Sequence, residues 1–390
     1  MKKILSLILA LTLLCTVSAG AFAACDVNTK ELRFNDDGSF RVMMLTDFQD
    51  IDFCSRKSAD FLDRVLDYAK PDLVVLGGDQ LSDDFKLATP LRVAKALQNI
   101  LKPMNDRQIP FLFAFGNHDH DRNALMTNAK QAALYYRYDY CFAARDGFGP
   151  STYNKLVYSS DGLRPVFNIY VMDTNNKNTA DGGKWDGVHA DQVAWYKAKS
   201  DELKALNGGQ ILPSILFQHI PVKEIFEFFT EVPEGTPGAL SKSSLGVDGY
   251  YVLDPDRMIS ETWRMGELPG CEILTRSTGQ YEAWLEKGDL TLGAFFGHDH
   301  VNDFVGVTKD GIRLGYTGGF GFATYGMDDE RCVKIFDFDE NDVEGYTFHT
   351  LRYCDLPDSA PQSFMERLNA RLHEFAAGIV DLLGTAGAFC

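Results

Sequence analysis

The hydrophobic positions of this chain fall into short apolar runs, each stopped by a polar cluster and followed by a stretch with helical spacing. Phe40 to Thr46 stops at Asp47, and a helical pattern follows from about Ser55 to Ala69. Asp72 to Leu76 runs into Gly77-Gly78-Asp79, before an amphipathic stretch from Pro90 to Leu101. Pro110 to Phe115 runs into Gly116-Asn117-His118-Asp119, before a helical stretch from Asn123 to Tyr138. Strands that are apolar without alternation are covered on both faces, so three such units in succession predict parallel β-α packing. Ligands of such sheets bind beyond the carboxyl ends of the strands, where all three polar clusters lie.

The middle of the chain is less regular. Ser151 to Asp173 reads as two further strands, Asn175 to Gly187 as an Asn/Gly-rich surface loop, and His189 to Leu206 as a helix with Trp195 and Leu203 on its apolar side. Ile211 to Phe217 is a buried-strand pattern ending at Gln218-His219, and Thr291 to Phe296 is another, ending in Gly297-His298-Asp299-His300. Val232 to Gly270, rich in Gly, Pro and Ser, is read as an insertion over the site rather than a domain boundary. Strand patterns at Val301 to Val307, Ile312 to Tyr316, Val333 to Phe338 and Gly345 to Leu351 predict hairpins closing a second sheet, and Ser363 to Leu382 predicts an amphipathic helix. Residues 25–390 are expected to form a single domain carrying that insertion.

Composition adds a compartment. Lys2 and Lys3 precede the apolar run Ile4 to Leu14, and Ala21-Phe22-Ala23 offers a cleavage site, so residues 1–24 read as a signal peptide of a secreted, extracellular or periplasmic protein. The run is shorter than the ~20 residues of a membrane span, and no other segment is apolar enough. Lipidation of Cys25 is the alternative, because Phe22-Ala23-Ala24-Cys25 approaches a lipoprotein processing site, with Phe where an aliphatic residue is normally wanted. The net charge of −17 argues against nucleic acid as a partner of the surface at large. A small phosphorylated substrate fits only if bound cations invert the field locally. The cysteines of residues 25–390 show no C-x-x-C spacing, which speaks against a thiolate zinc site, and burial as thiols is as good a reading as pairing.

Five strand ends carry carboxylate, carboxamide or imidazole. Each alone has an ordinary explanation: Asp47 and Asp79 as helix N-caps, His219 as a satisfied core histidine, Asn117 as a left-handed turn residue. Those explanations do not account for the recurrence. Such groups are costly to bury unless something pairs with them, and metal ions held by mixed oxygen and nitrogen donors are the simplest common partner. His298 and His300, two apart on an extended segment, point the same way while Asp299 faces elsewhere. His120 is expected to be solvated, His189 to be a surface or capping residue, and His349 and His373 to be structural. Phe226, Phe228, Phe229 and Tyr250-Tyr251 are expected in the core rather than lining a cleft.

Asp47-Phe-Gln49, Gly78-Asp79, Gly116-Asn117-His118-Asp119, His219 and Gly297-His298-Asp299-His300, in this order and each after a strand, resemble the signature of the calcineurin-like metallophosphoesterases. Phe217-Gln-His-Ile-Pro221, His298-Asp-His-Val-Asn-Asp303 and Tyr316-Thr-Gly-Gly-Phe-Gly321 are similar to the branch of purple-acid-phosphatase-related proteins. The resemblance implies a four-layer α/β/β/α sandwich with two mixed β-sheets, and hydrolysis of phosphomonoesters by a metal-bound hydroxide. Phosphodiester hydrolysis and a catalytically inactive surface-binding protein are the alternatives. It implies two divalent or trivalent ions, Mn, Fe or Zn, with Asp79 bridging them, Asp47 and His300 on the first, and Asn117, His219 and His298 on the second. His118 is implied as the proton donor to the leaving oxygen, and Asp119, Asp299, Asn302 and Asp303 as residues that orient imidazoles. Two departures stand out. Gln49 occupies the place of the family's usual histidine and is a weaker ligand, and Ser82 falls near the tyrosine that gives purple acid phosphatases their colour.

Overall fold

The computed structural model describes residues 30–82, 85, 88–122, 126–178, 184–242, 247–269 and 278–357. The chain divides after Tyr353 into two compact units, and the first holds both large sheets. In the first sheet, the apolar run at the start of the chain is the strand Ser39–Leu45, paired in parallel with Leu73–Leu76, which pairs in parallel with Phe111–Phe113. Cys332–Asp339 pairs antiparallel on its other side, and Thr347–Arg352 forms the edge. The second sheet has seven strands in the order Leu32–Arg33, Tyr153–Tyr158, Pro165–Met172, Ser214–Gln218, Gly293–Phe296, Arg313–Tyr316 and Phe304–Val307, with parallel and antiparallel pairs. Every residue of Leu73–Leu76 and of Gly293–Phe296 is buried, as two covered faces demand.

Phenylalanines join the two sheets. Phe167 stacks on Phe338 with ring centres 4.7 Å apart, and Phe336 meets Phe295 at 4.5 Å and Phe217 at 5.7 Å. Each such side chain contributes roughly 1.5–3 kcal/mol on burial, so this layer fixes how the two sets of strand ends face each other. Helices Arg56–Ala69 and Pro90–Asp106 follow the first two strands of the first sheet, capped by the hydroxyls of Ser55 and Thr89. Ala190–Leu206 and Gln280–Lys287 give Tyr196, Leu203, Tyr281 and Trp284 to a core that includes Tyr170, Leu216 and Phe296 of the second sheet. The arrangement is the expected four-layer α/β/β/α sandwich with two mixed sheets.

Four expectations change. The late strands do not close one sheet: Phe304–Val307 and Arg313–Tyr316 complete the seven-stranded sheet, whereas Cys332–Asp339 and Thr347–Arg352 return to the first. Hydrophobic patterns alone do not say which sheet a fully covered strand joins. The helix expected from Asn123 is shorter, Asn128–Tyr135, capped by Thr127 and preceded by a 3-10 turn at Asp119–Arg122. The Gly/Pro-rich insertion contains real strands. Phe229–Val232, Leu240–Lys242 and Val247–Leu253 form a separate antiparallel sheet, and Met258 and Arg264 bridge to Gly306 and Asp303 at the edge of the large sheet. The loop after Asn175 carries the short paired strands Lys177–Asn178 and Lys184–Trp185. The expected signal peptide and the helix from Ser363 to Leu382 lie outside the described residues, among which no helix is long and apolar enough to cross a membrane.

Candidate metal centre

The strand ends converge because their loops are stitched to one another. The Asp47 amide donates to Gly78 O at 3.0 Å, Gln49 N to Asp79 O at 2.9 Å, Gly297 N to His219 O at 3.0 Å and Gly319 N to His300 O at 2.9 Å. The turns are sharp. Asp47, Gln49, Asp79 and His298 all have positive φ, at 54°, 40°, 52° and 76°, a conformation that costs a residue with a Cβ and persists where the surroundings impose it. Two glycines make room: a Cβ on Gly116 would strike the carboxylate and backbone of Asp79, and one on Gly297 would strike Thr46 and Asp47.

At the centre, ligand atoms of Asp47, Asp79 and His219 all lie within 4.8 Å of one another, and all three residues are buried. His219 Nε2 is 3.1 Å from Asp79 Oδ2 and 3.8 Å from Asp47 Oδ1, and His300 Nε2 is 3.1 Å from Asp47 Oδ1. These are ion-pair distances without hydrogen-bond alignment, since Asp47 Oδ1 and His219 Nε2 have no hydrogen-bond partner, nor has either amide atom of Asn117. A buried polar atom left unsatisfied costs ~1–3 kcal/mol. Buried oxygen and imidazole nitrogen atoms that lack a hydrogen bond fit an ion as their common partner.

Residues 40–302 match the calcineurin-like phosphoesterase family. The chain belongs to that family. Similar proteins include "Probable inactive purple acid phosphatase 14" of Arabidopsis thaliana, 27% identical across 84% of this chain and 80% of the relative. "Phosphatase DCR2" of Saccharomyces cerevisiae is 25% identical across 84% of this chain and 56% of its own length. Among solved structures, a dimetal phosphatase from Danio rerio covers 80% of this chain and 99% of its own, at 13% identity and a TM-score of 0.44.

In this member of the family, the remaining groups are oriented from behind. His219 Nδ1 donates to Gly77 O at 3.0 Å, and His300 Nδ1 to Tyr325 O at 2.8 Å, which leaves each Nε2 facing the carboxylates. Thr46 Oγ1 and the His298 amide hold Asp47 Oδ2 at 2.8 and 3.1 Å, and the His118 amide holds Asp79 Oδ1 at 2.8 Å. Burial alone would lower the pKa of His219, but the charges of Asp79 and Asp47 outweigh it and push it up to about 10. For His298 burial dominates, reinforced by His219, and the pKa falls to about 3, leaving a neutral imidazole. His118, His298 and Trp185 are partly exposed, so the site opens on that side.

Gln49 adopts an orientation the sequence does not specify: Nε2 donates to Asp79 Oδ2 at 2.9 Å, and Oε1 accepts from Thr324 Oγ1 at 2.7 Å. None of the four residues expected to orient imidazoles does so. Asp119 accepts the amides of Gly116 and Leu81, and Asp299 accepts the Tyr316 hydroxyl. Asn302 Oδ1 accepts the amides of Gly266 and Glu267, and Asp303 pairs with Lys334 at 2.7 Å. They hold loops and a strand, and the imidazoles of His219 and His300 are served by main-chain carbonyls instead. His120 is buried rather than solvated: Nε2 meets Asp173 Oδ1 at 2.8 Å and Nδ1 meets Asn128 Nδ2 at 2.6 Å. Asp173 follows a strand of the opposite sheet, so no local pattern reveals the pair.

His189 caps its helix, and Phe228 and Phe229 lie in the core. Sequence reasoning missed Trp185, Thr324 and Tyr325. Tyr325 stacks on His300 with ring centres 4.0 Å apart, and its one visible signal is its place just after the Gly-rich Tyr316 to Gly321 motif. Cys54, Cys141 and Cys332 are thiols, the last two buried.

Proposed function

We propose that this phosphoesterase hydrolyses small phosphomonoesters with two metal ions held by Asp47, Asp79, Asn117, His219, His298 and His300, and that His118 protonates the leaving oxygen. The observation that carries this reading is the buried cluster of Asp47, Asp79 and His219, in which Asp47 Oδ1 and His219 Nε2 lack a hydrogen bond, as do both amide atoms of buried Asn117. When bound, such ions supply a water acidic enough to be a nucleophile and neutralise the phosphate oxygens. Asp79, held by the His118 amide and Gln49 Nε2, would be the carboxylate shared between the ions. His118 Nε2 lies 4.0 Å from Asp79 Oδ2 with its ring partly exposed, so an ester oxygen entering from solvent reaches it. The P–O bond to the leaving group breaks as His118 gives that oxygen its proton. Mn, Fe or Zn suit the donor set. Export directed by residues 1–24 belongs to the same reading.

A second reading, a catalytically inactive binding protein, is favoured by two observations. Relatives carry the words "probable inactive" in their names, and the Gln49 amide nitrogen, which cannot ligate a metal, faces Asp79. Against it stand the retained Asp79, Asn117 and His118. The readings separate in one assay of the Mn-loaded protein on para-nitrophenyl phosphate and bis-para-nitrophenyl phosphate. Monoester turnover that vanishes in Asp79→Ala and drops about 10²–10⁴-fold in His118→Ala is expected. Turnover of the diester alone would replace the monoesterase by a diesterase, and no turnover by metal-loaded protein would favour the binding protein.

A further inference from the structure

Trp185 stands against the two partly exposed imidazoles of the site. Its ring centre is 5.5 Å from that of His118 and 5.8 Å from that of His298, nearly perpendicular to both, at 80° and 89°. The other residues of the centre, Asp47, Asp79, Asn117, His219 and His300, are buried beneath. The indole therefore walls the mouth on the side shared by His118 and His298. Its position is set: the strand Lys184–Trp185 pairs with Lys177–Asn178, and the indole also packs on the core of the second sheet.

We infer that Trp185 selects the leaving group, favouring phosphate esters of planar or apolar alcohols, such as aryl groups, over esters of polyols. This rests on the phosphoesterase reading. A leaving oxygen within hydrogen-bond reach of His118, about 3 Å, places the first carbons of the leaving group within a few ångströms of that ring. At that range they touch the neighbouring indole. A flat apolar group gains dispersion and offset or edge contacts there, worth about 3- to 10-fold in affinity. A polyol loses part of its hydration and gains no hydrogen bond from the indole carbons.

The test uses the metal-loaded full chain with phenylphosphonate and methylphosphonate, which bind as phosphates and cannot be hydrolysed, measured by titration calorimetry. Phenylphosphonate should bind about 3- to 10-fold more tightly than methylphosphonate. Trp185→Ala should remove most of that difference, and Trp185→Phe should restore most of it. In turnover, Trp185→Ala should cut kcat/KM for phenyl phosphate by about 3- to 10-fold more than it cuts kcat/KM for glycerol 2-phosphate. Equal losses on both esters, or an aryl preference that survives in Trp185→Ala, would overturn the role of Trp185 and leave the phosphoesterase reading standing. Binding with the aryl preference but no turnover would sink the enzymatic reading and keep the recognition role. A wild-type protein that binds neither phosphonate would overturn both.

Discussion

Both amide atoms of Asn117 are buried without a hydrogen-bond partner, which destabilises the metal-free chain and makes this residue a direct probe of the centre. Asn117→Leu removes the unsatisfied amide while keeping its shape. The metal-free variant should therefore equal or exceed the metal-free parent in stability, by up to about 1–3 kcal/mol, yet lose most of the rise in Tm that metal gives the parent. Thermal melts with and without chelator measure both effects, and a variant that loses stability but keeps the full metal response would contradict the assignment. His219 makes a pH prediction. Burial opposes its protonation, but Asp79 and Asp47 prevail and raise its pKa to about 10, above the ~6.5 of a free imidazole. In the metal-free chain this contact stabilises fully below about pH 6.5, and the contribution fades as pH rises toward 10. Denaturation midpoints should fall across that window, less so in His219→Asn. An ion must also displace the proton, so metal binding at neutral pH should release protons, as calorimetry in buffers of different ionisation enthalpy would show.

The strands that deliver the candidate ligands were legible at the scale of elements because each is an uninterrupted apolar run stopped by Asp, Asn or His. Ser39–Leu45, Leu73–Leu76 and Gly293–Phe296 fall within a residue or two of where the pattern puts them. The assignment of late strands to sheets was not legible, since Arg313–Tyr316 and Cys332–Asp339 are both largely buried and only packing separates them. Phe229–Val232 and Val247–Leu253 were hidden by the Gly and Pro between them, although Thr230, Val232, Tyr250, Tyr251 and Val252 are good strand residues. Trp185 and the His120–Asp173 pair were invisible for a common reason: each acts across a gap in sequence that no periodicity spans. The turns give a prediction of their own. Gly116→Ala places a Cβ against Asp79, so it should cost about 1–3 kcal/mol by overpacking and weaken metal binding together. A variant with parental denaturation midpoint and parental metal affinity would show that the loop has more room than the structure allows.

Across the whole molecule, 55 acidic against 38 basic residues draw cations toward a centre whose own carboxylates are shielded from water. The attraction should be screened by salt, so Mn²⁺ association should slow as ionic strength rises, whereas dissociation from the buried site should change little. The two sheets meet through phenylalanines and bring Asp47 and Asp79 from one sheet to His219 from the other, so an ion held there would also fasten the halves of the sandwich. Metal at a thousand times its Kd should add about 4 kcal/mol of stability. The most direct test is anomalous diffraction from crystals soaked in Mn²⁺. Two peaks about 3.5–4 Å apart, flanking Asp79 and reaching Asp47 and His300 on one side and Asn117, His219 and His298 on the other, are predicted. A single peak, or none within bonding distance of Asp79, would contradict the two-ion centre.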